Sequence, residues 1–195
     1  MGKLLTGAAI LFLLAGCASS SSTHINIPET VSLSESSLSK YASAKISGID
    51  IIFSQMMIPH HSQALTLSEL AFKYAEDDRV LNLAVEIYAA QAPEIELMET
   101  WLSNAENVPT AQDHSEMRGM LSEEELSELG KLRGKAFDIS WLESMIEHHA
   151  GAVDMVNYQL VYSNTPEVIE LGILIVDSQS QEIAEMETLL SELKG

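Results

Sequence analysis

The chain has 195 residues, a length that suits one domain of ordinary size or a domain with a tail. It has 10 Lys and Arg against 29 Asp and Glu, and this net charge of −19 argues against nucleic acid or an anionic lipid surface as a partner. Apolar residues make up 46% and aromatic residues 6%, and Ala, Leu, Glu and Met are plentiful, which favours a folded helical protein.

The first 17 residues have the features of a secretory signal. Lys3 precedes an apolar stretch, Leu4–Leu14, that is too short to cross a bilayer comfortably. A Leu-Ala-Gly-Cys sequence at positions 14–17 resembles a bacterial lipobox, which implies cleavage before Cys17 and a lipid on its sulfur. An ordinary signal peptide with a chance cysteine is the alternative. We expect an extracytoplasmic lipoprotein that contacts the membrane only through this anchor. By analogy with lipoprotein sorting, the absence of Asp after the cysteine, where Ala18 stands, favours an outer membrane, if the cell has one.

Residues 18–47 separate this signal from the main domain. The serines at positions 19–22 are typical of a flexible tether, and residues 33–46 are compatible with a short helix. Because the chain has only one cysteine, it cannot form an internal disulfide, a Cys-based zinc site or an iron–sulfur cluster. Any metal site in the main domain, residues 48–193, must therefore use other ligands.

An internal repeat dominates the main domain. Residues 50–102 align with residues 138–190 at a constant offset of 88 without a gap, and 18 of the 53 aligned pairs are identical. The identical pairs include Asp50 and Asp138, His60-His61 and His148-His149, Gln91 and Gln179, and Glu94-Ile95 and Glu182-Ile183. A match of this length indicates a duplicated unit.

Each unit is predicted to form a helical hairpin. Asp77 and Thr165 are expected to cap the second helix of each hairpin. In the connection between the units, Ser122 and Glu125 have capping-box spacing, which predicts a short helix to about Gly134. The predicted long helices are Asp50–Ala75, Val80–Leu102, Asp138–Tyr162 and Val168–Leu193. Two such hairpins would bury their apolar stripes against each other as an all-α four-helix bundle.

Four of the six histidines lie in the two repeated pairs, each one turn after a methionine. Because each helical residue turns by about 100°, His60 lies about 60° to one side of Met57 and His61 about 40° to the other. The three side chains therefore share one sector of the helix. The second unit repeats the pattern with Met145, His148 and His149, and it adds Met155.

The ligand types favour a soft metal ion. Thioether sulfur suits Cu(I) and, by the same softness, Ag(I), whereas imidazole suits copper, zinc or iron. Di-iron bundles place a glutamate three residues before the histidine, and Met57 and Met145 occupy that position here. Replacing a hard carboxylate with a thioether favours a monovalent soft ion. The alternative is that the histidines only pack the core.

The motifs resemble the paired signature of the CopM-like family of bacterial secreted copper-binding proteins. They read Phe53-x-x-x-Met57-Ile58-Pro59-His60-His61 and Trp141-x-x-x-Met145-Ile146-x-His148-His149. The resemblance covers about residues 48–193 and implies a ferritin-like bundle that binds copper in the periplasm or outside the cell. Carried over by position, the implied ligands are Met57, His60, His61, Met145, His148, His149 and Met155.

The first unit departs from this pattern, because Leu67 stands at the counterpart of Met155. Met56, on the same face as His60, could substitute as a weaker ligand. Met98 and Met186 are expected to fill the core. Three further residues in or near the crossover could form a second, weaker soft-metal site or be ordinary loop residues: His114, Met117 and Met120.

These features predict a lipid-anchored protein that sequesters or transfers Cu(I), with Ag(I) as a surrogate, and contributes to copper tolerance. A protein that exchanges copper with it is a possible partner. We expect no enzyme activity, because no nucleophile–base pair or phosphate-binding loop is evident. The alternatives are a metal-dependent oxidase on a ferritin-like bundle and a structural envelope lipoprotein that binds no metal.

Overall fold

The computed structural model describes residues 35–46, 48–106, 108–109 and 117–195. Within these ranges the chain forms six α-helices and no strand. The helices are α1 (Glu35–Tyr41), α2 (Ile49–Tyr74), α3 (Asp78–Asn104), α4 (Glu123–Leu129), α5 (Gly134–Tyr162) and α6 (Pro166–Lys194). The predicted signal peptide, Cys17 and His114 lie outside the described residues.

The long helices form two hairpins, α2 with α3 and α5 with α6, which meet mainly through α2 and α5. The predicted four-helix bundle is confirmed. The extra crossover helix is α4, and its first turn carries the predicted capping box between Ser122 and Glu125. α4 ends at Leu129, before the expected Gly134, because residues 130–133 form the turn into α5, which starts earlier than predicted. Among the described helices, none is long and apolar enough to cross a membrane.

Asp50 and Asp138 each hold the turn of the opposite hairpin. The Asp138 carboxylate accepts hydrogen bonds from the backbone N–H groups of Glu76 and Asp77, at 3.1 and 2.9 Å. Asp50 accepts one from the Thr165 hydroxyl at 2.6 Å. Asp77 caps α3 with its own side chain, as predicted. Thr165 precedes α6 as predicted but makes no side-chain cap bond, because its hydroxyl donates to Asp50 instead.

The bundle interior contains two apolar cores at opposite ends of the long helices. The first core includes Phe53, Met57, Met98, Trp101, Val156 and Ile175. The second core includes Leu67, Ile87, Phe137, Trp141, Met145 and Met186. Along each long helix, the residues of one core are separated from those of the other by buried polar positions. The two cores therefore enclose a polar zone at the middle of the bundle.

Candidate metal centre

Eight polar side chains, two from each long helix, cross the middle of the bundle, and we call them the polar layer. The layer consists of His60 and His61 of α2, Gln91 and Glu94 of α3, His148 and His149 of α5, and Gln179 and Glu182 of α6. Seven of them are buried, and the side chain of Glu182 is only 13% exposed. Burying polar groups costs free energy unless they find partners, so a layer of this size indicates a functional site.

The two histidine pairs meet in this layer. The ring centroids of His60 and His148 are 3.8 Å apart, with a tilt of 39° between the ring planes. The centroid of His149 lies 6.3 Å from that of His148. The antiparallel packing of α2 on α5 thus brings the two repeat units together at one cluster of imidazoles.

The two stacked rings are neutral at ordinary pH. Burial lowers the pKa of His60 to about 3, and the neighbouring His61 lowers it further. Burial also lowers the pKa of His148, and His60 adds to that effect. A neutral imidazole carries an unprotonated nitrogen, which is the form that binds a metal ion without releasing a proton.

Two glutamates orient the outer histidines. His61 Nε2 lies 2.8 Å from Glu94 Oε2, and His149 Nε2 lies 2.8 Å from Glu182 Oε2. Since a carboxylate accepts, each Nε2 carries the hydrogen, and in the neutral ring the lone pair is then on Nδ1. His60 Nε2 similarly faces the backbone oxygen of Arg118 at 3.3 Å. Five buried nitrogens of the four histidines have no protein partner: Nδ1 of His60, His61 and His149, and both nitrogens of His148.

The histidine and methionine motifs alone did not identify Glu94 and Glu182 as members of the site. They come from the second helix of each hairpin, 33 residues after the histidine that they contact. The available signal was the repeat itself, because Glu94 and Glu182 are identical matched residues in a chain whose other acids mostly differ between the units. In proteins, a carboxylate on the distal nitrogen of a metal-binding histidine fixes the ring and raises its basicity.

Methionines lie on both sides of the polar layer. Met57 and Met98 are fully buried in the first core, and Met145 and Met186 are fully buried in the second. The two Met-x-x-His motifs therefore place their sulfurs in different cores, on opposite sides of the stacked imidazoles. Burial of Met98 and Met186 fits the packing role expected of them.

The remaining predicted ligands lie nearer the surface. Met155 is half-buried and packs against the first core, whereas its counterpart Leu67 is fully buried in the second. Met56 is also half-buried and lines the same open pocket as Met155. Met56 thus shares a pocket with Met155 across the two units. In the crossover, Met117 and Met120 are half-buried, and His114, the third residue predicted with them, lies outside the described residues.

The part of the crossover just before α4, residues 118–121, lies directly over the histidines. Gly119 has a φ of 83°, and a side chain there would overlap the backbone oxygen of Glu147 on α5. A side chain on Gly151 would overlap the backbone oxygen of Arg118. Gln63 fixes the backbone of Leu121, two residues after Gly119. Its side chain accepts a hydrogen bond from Leu121 N at 2.7 Å and donates one to Leu121 O at 2.8 Å. These contacts hold the crossover backbone close against the polar layer.

The candidate donors of this site are histidine nitrogens and methionine sulfurs. Among the described residues, no three His, Cys, Asp or Glu side chains are arranged to hold a metal ion by themselves. A ligand set at the polar layer would combine imidazole nitrogens with thioether sulfurs, a combination that suits Cu(I) and Ag(I). The fold and the site together define a class of protein: an all-helical bundle whose buried imidazoles and methionines could bind a soft metal ion.

Comparison with known families supports this class. Residues 50–190 match the family described as a domain of unknown function, DUF305, and the chain belongs to that family. The resemblance to CopM-like proteins is confirmed, because CopM structures are among the similar solved structures. No curated protein matches the chain.

Several solved structures share the fold. A DUF305 protein from Streptomyces coelicolor, assigned as secreted, is 30% identical with a TM-score of 0.67, and the match covers 75% of this chain and 93% of that one. A DUF305 fragment from Deinococcus radiodurans is 32% identical with a TM-score of 0.66, covering 76% and 99%. CopM in its Cu(I)-bound form is 30% identical with a TM-score of 0.66, covering 76% and 100%. CopM has also been solved with Ag and with Cu(II) bound, so the ions expected from the sequence are ions that CopM binds.

Proposed function

We propose that this protein binds copper outside the cytoplasm, holds it as Cu(I) at the polar layer, and contributes to copper tolerance by sequestering or transferring it. The observation that carries the proposal is the layer itself, in which five histidine nitrogens are buried without a protein partner. An unpaired buried polar atom costs about 1–3 kcal/mol, and a bound metal ion would recover that loss. Similarity to CopM, which binds copper, supports the same assignment.

The ligands would come from both repeat units. His60 and His148 already face each other, and the Nδ1 atoms of His61 and His149 complete the nitrogen donors. Sulfur would come from Met57 and Met145 in the adjacent cores, whereas Met155 lies nearer the surface. We propose binding without catalytic turnover. Oxygen consumption by the copper-loaded protein that depends on the histidine pairs would contradict that part of the proposal.

We also propose that Cys17 carries a lipid that anchors the protein on the extracytoplasmic side of a membrane. The support is the Leu-Ala-Gly-Cys sequence after a short apolar stretch. A protein that donates or accepts copper would then meet it at the membrane surface. Mass spectrometry of the full-length protein from membranes tests the anchor, since an unmodified Cys17 would contradict it.

An anaerobic titration with Cu(I) tests metal binding. The chain from Ala18 onward competes with a chromogenic Cu(I) chelator, and the double variant His148→Ala/His149→Ala is compared with the exposed control Asn157→Ala on the same helix. We expect the control to match the wild type and the double variant to lose at least about tenfold in affinity, the low end for loss of metal-site groups. Circular dichroism verifies that the variant is folded. A folded variant with unchanged affinity would remove this pair from the site.

A further inference from the structure

An open apolar pocket lies beside the polar layer, between the first half of α2 and the second half of α5. Its volume is about 270 Å³. The residues that line it include Ile52, Phe53, Met56, Gly151, Met155 and Tyr158. The pocket opens to solvent, since Ile52 is 46% exposed and Tyr158 is 62% exposed.

The inner wall of this pocket adjoins a histidine of the layer. Gly151 and Arg118 line the pocket, and the backbone oxygen of Arg118 is 3.3 Å from His60 Nε2. A Cβ atom on Gly151 would lie 3.2 Å from the same nitrogen. Glycine at this position thus leaves the His60 ring only one atomic layer from the pocket.

Two thioethers line the pocket where they are accessible. Met56 and Met155 are half-buried, whereas Met57 and Met145 are fully buried in the cores. A soft ion held by a chelator or another protein must exchange ligands one at a time, so its first new ligand has to be reachable from outside. The two pocket methionines are soft donors of the kind that Cu(I) prefers.

We propose that this pocket is the copper port, through which Cu(I) enters and leaves the polar layer, with Met56 and Met155 as transient ligands and His60, through its unpartnered Nδ1, as the next one inward. The proposal rests on the proposed function and adds the route. On loading, the first step exchanges a bond from copper to its donor for a copper–sulfur bond, and the next exchanges that copper–sulfur bond for a copper–nitrogen bond. No electron moves, and no proton is released because thioether and neutral imidazole are both uncharged donors.

The repeat-related position is closed, which makes the route one-sided. Leu67 stands where Met155 stands in the other unit, and it is fully buried in the second core. Gln63 stands at the counterpart of Gly151 and is tied to the crossover through Leu121. At the open port, the surface pair of Arg118 with Asp154 is mostly exposed. Such pairs contribute little free energy, so this rim can open easily.

Transfer kinetics test the port. Stopped-flow absorbance follows anaerobic transfer of Cu(I) from a chromogenic chelator to the chain from Ala18, for the wild type, for Met56→Leu/Met155→Leu, and for the control Met186→Leu, a packing residue of the second core outside the pocket. We expect the double variant to load about tenfold more slowly or worse, which corresponds to a modest rise in barrier. Its equilibrium affinity and stoichiometry stay close to those of the wild type. Release to an excess of chelator then slows by the same factor, because the same route serves both directions.

A second variant keeps both thioethers and narrows the port. Ile52→Trp adds volume at the exposed edge of the pocket, and we expect it also to slow both loading and release without weakening binding. Unchanged rates in the double variant would overturn the port. Equal losses of rate and affinity would make Met56 and Met155 resident ligands, overturning the port while leaving the proposed function intact. A wild-type chain that binds no Cu(I) would instead overturn the proposed function.

Discussion

Replacing Glu94 is expected to weaken copper binding although this residue need not touch the metal ion. The carboxylate lies 2.8 Å from His61 Nε2, and both side chains are nearly inaccessible, with 7% of Glu94 and none of His61 exposed. Glu94→Leu removes the acceptor and frees the ring to rotate its Nδ1 away from the layer. Loss of such an outer partner lowers metal affinity by about 10–100-fold in known sites.

The same substitution should also destabilise the metal-free protein. A hydrogen bond to a charged group contributes about 1.5–3 kcal/mol, and an unpaired buried donor costs a similar amount. For a domain of this size, about 2–4 °C of melting temperature is lost for each kcal/mol. Glu94→Gln keeps an acceptor oxygen in the same place, so it should retain more of both stability and affinity than Glu94→Leu.

The assay pairs Cu(I) competition titration with nitrogen-15 NMR of the histidine rings. The ring spectrum reports which nitrogen carries the proton, and a merely structural role for Glu94 would not change it. Glu99→Gln is the control, since Glu99 is exposed on the same helix. Its repeat partner Glu187 is exposed as well and serves as the control for the parallel experiment on Glu182. If Glu94→Leu leaves the affinity and the His61 tautomer unchanged, the carboxylate does not set the ring and the reasoning is wrong.

Three other outcomes follow from the structure. Burial lowers the pKa of His60 to about 3 and also lowers that of His148, so at acidic pH the unfolded chain binds protons that the folded chain does not. The free energy of unfolding of the metal-free protein should therefore decrease as the pH is lowered from about 6.5, by up to about 1.4 kcal/mol per pH unit for each ring. Denaturant unfolding at a series of pH values measures this decrease. A stability that stays level down to pH 5 would contradict the burial of these rings. Gly151→Ala should cost at least about 1–3 kcal/mol in thermal unfolding, because its methyl group would overlap the Arg118 backbone oxygen, and an unchanged melting temperature would refute that close approach. Met57→Leu conserves volume and should cost less than about 1.5 kcal/mol while weakening Cu(I) in a competition titration, so unchanged affinity would exclude its sulfur as a ligand.

The duplicated pattern was sufficient to predict the helices and the burial of the histidines. Periodicity along one helix places His60 and His61 on a sector with Met57, and that sector does face the interior. The sequence could not predict that the two histidine pairs meet, because this depends on the relative axial position of α2 and α5 in the bundle. The close approach of His60 to His148 follows from the packing of α2 on α5, which joins side chains 88 residues apart in the chain.

Long-range polar contacts were the other feature that the sequence could not provide. Asp50 pairs with Thr165, 115 residues away, and Asp138 pairs with Asp77 N, 61 residues away. On a chain with 29 acids, identity between the repeats marks such residues as unusual but does not name their partners. The pocket lined by Met56 also could not be predicted from the sequence. Met56 and Met57 are adjacent on α2 and point in different directions, and only the packing of the partner helix decides which of them is reachable from solvent.

The reciprocal aspartates also bear on how the molecule originated. Each half supplies the acceptor that the turn of the other half requires, so a lone hairpin would leave that turn without its partner. An ancestor of half the length would have found it on an identical second molecule, in a symmetric pair. Once the two copies were joined in one polypeptide, their sequences could diverge. One side could then be sealed with leucine while the other kept an opening lined with methionine.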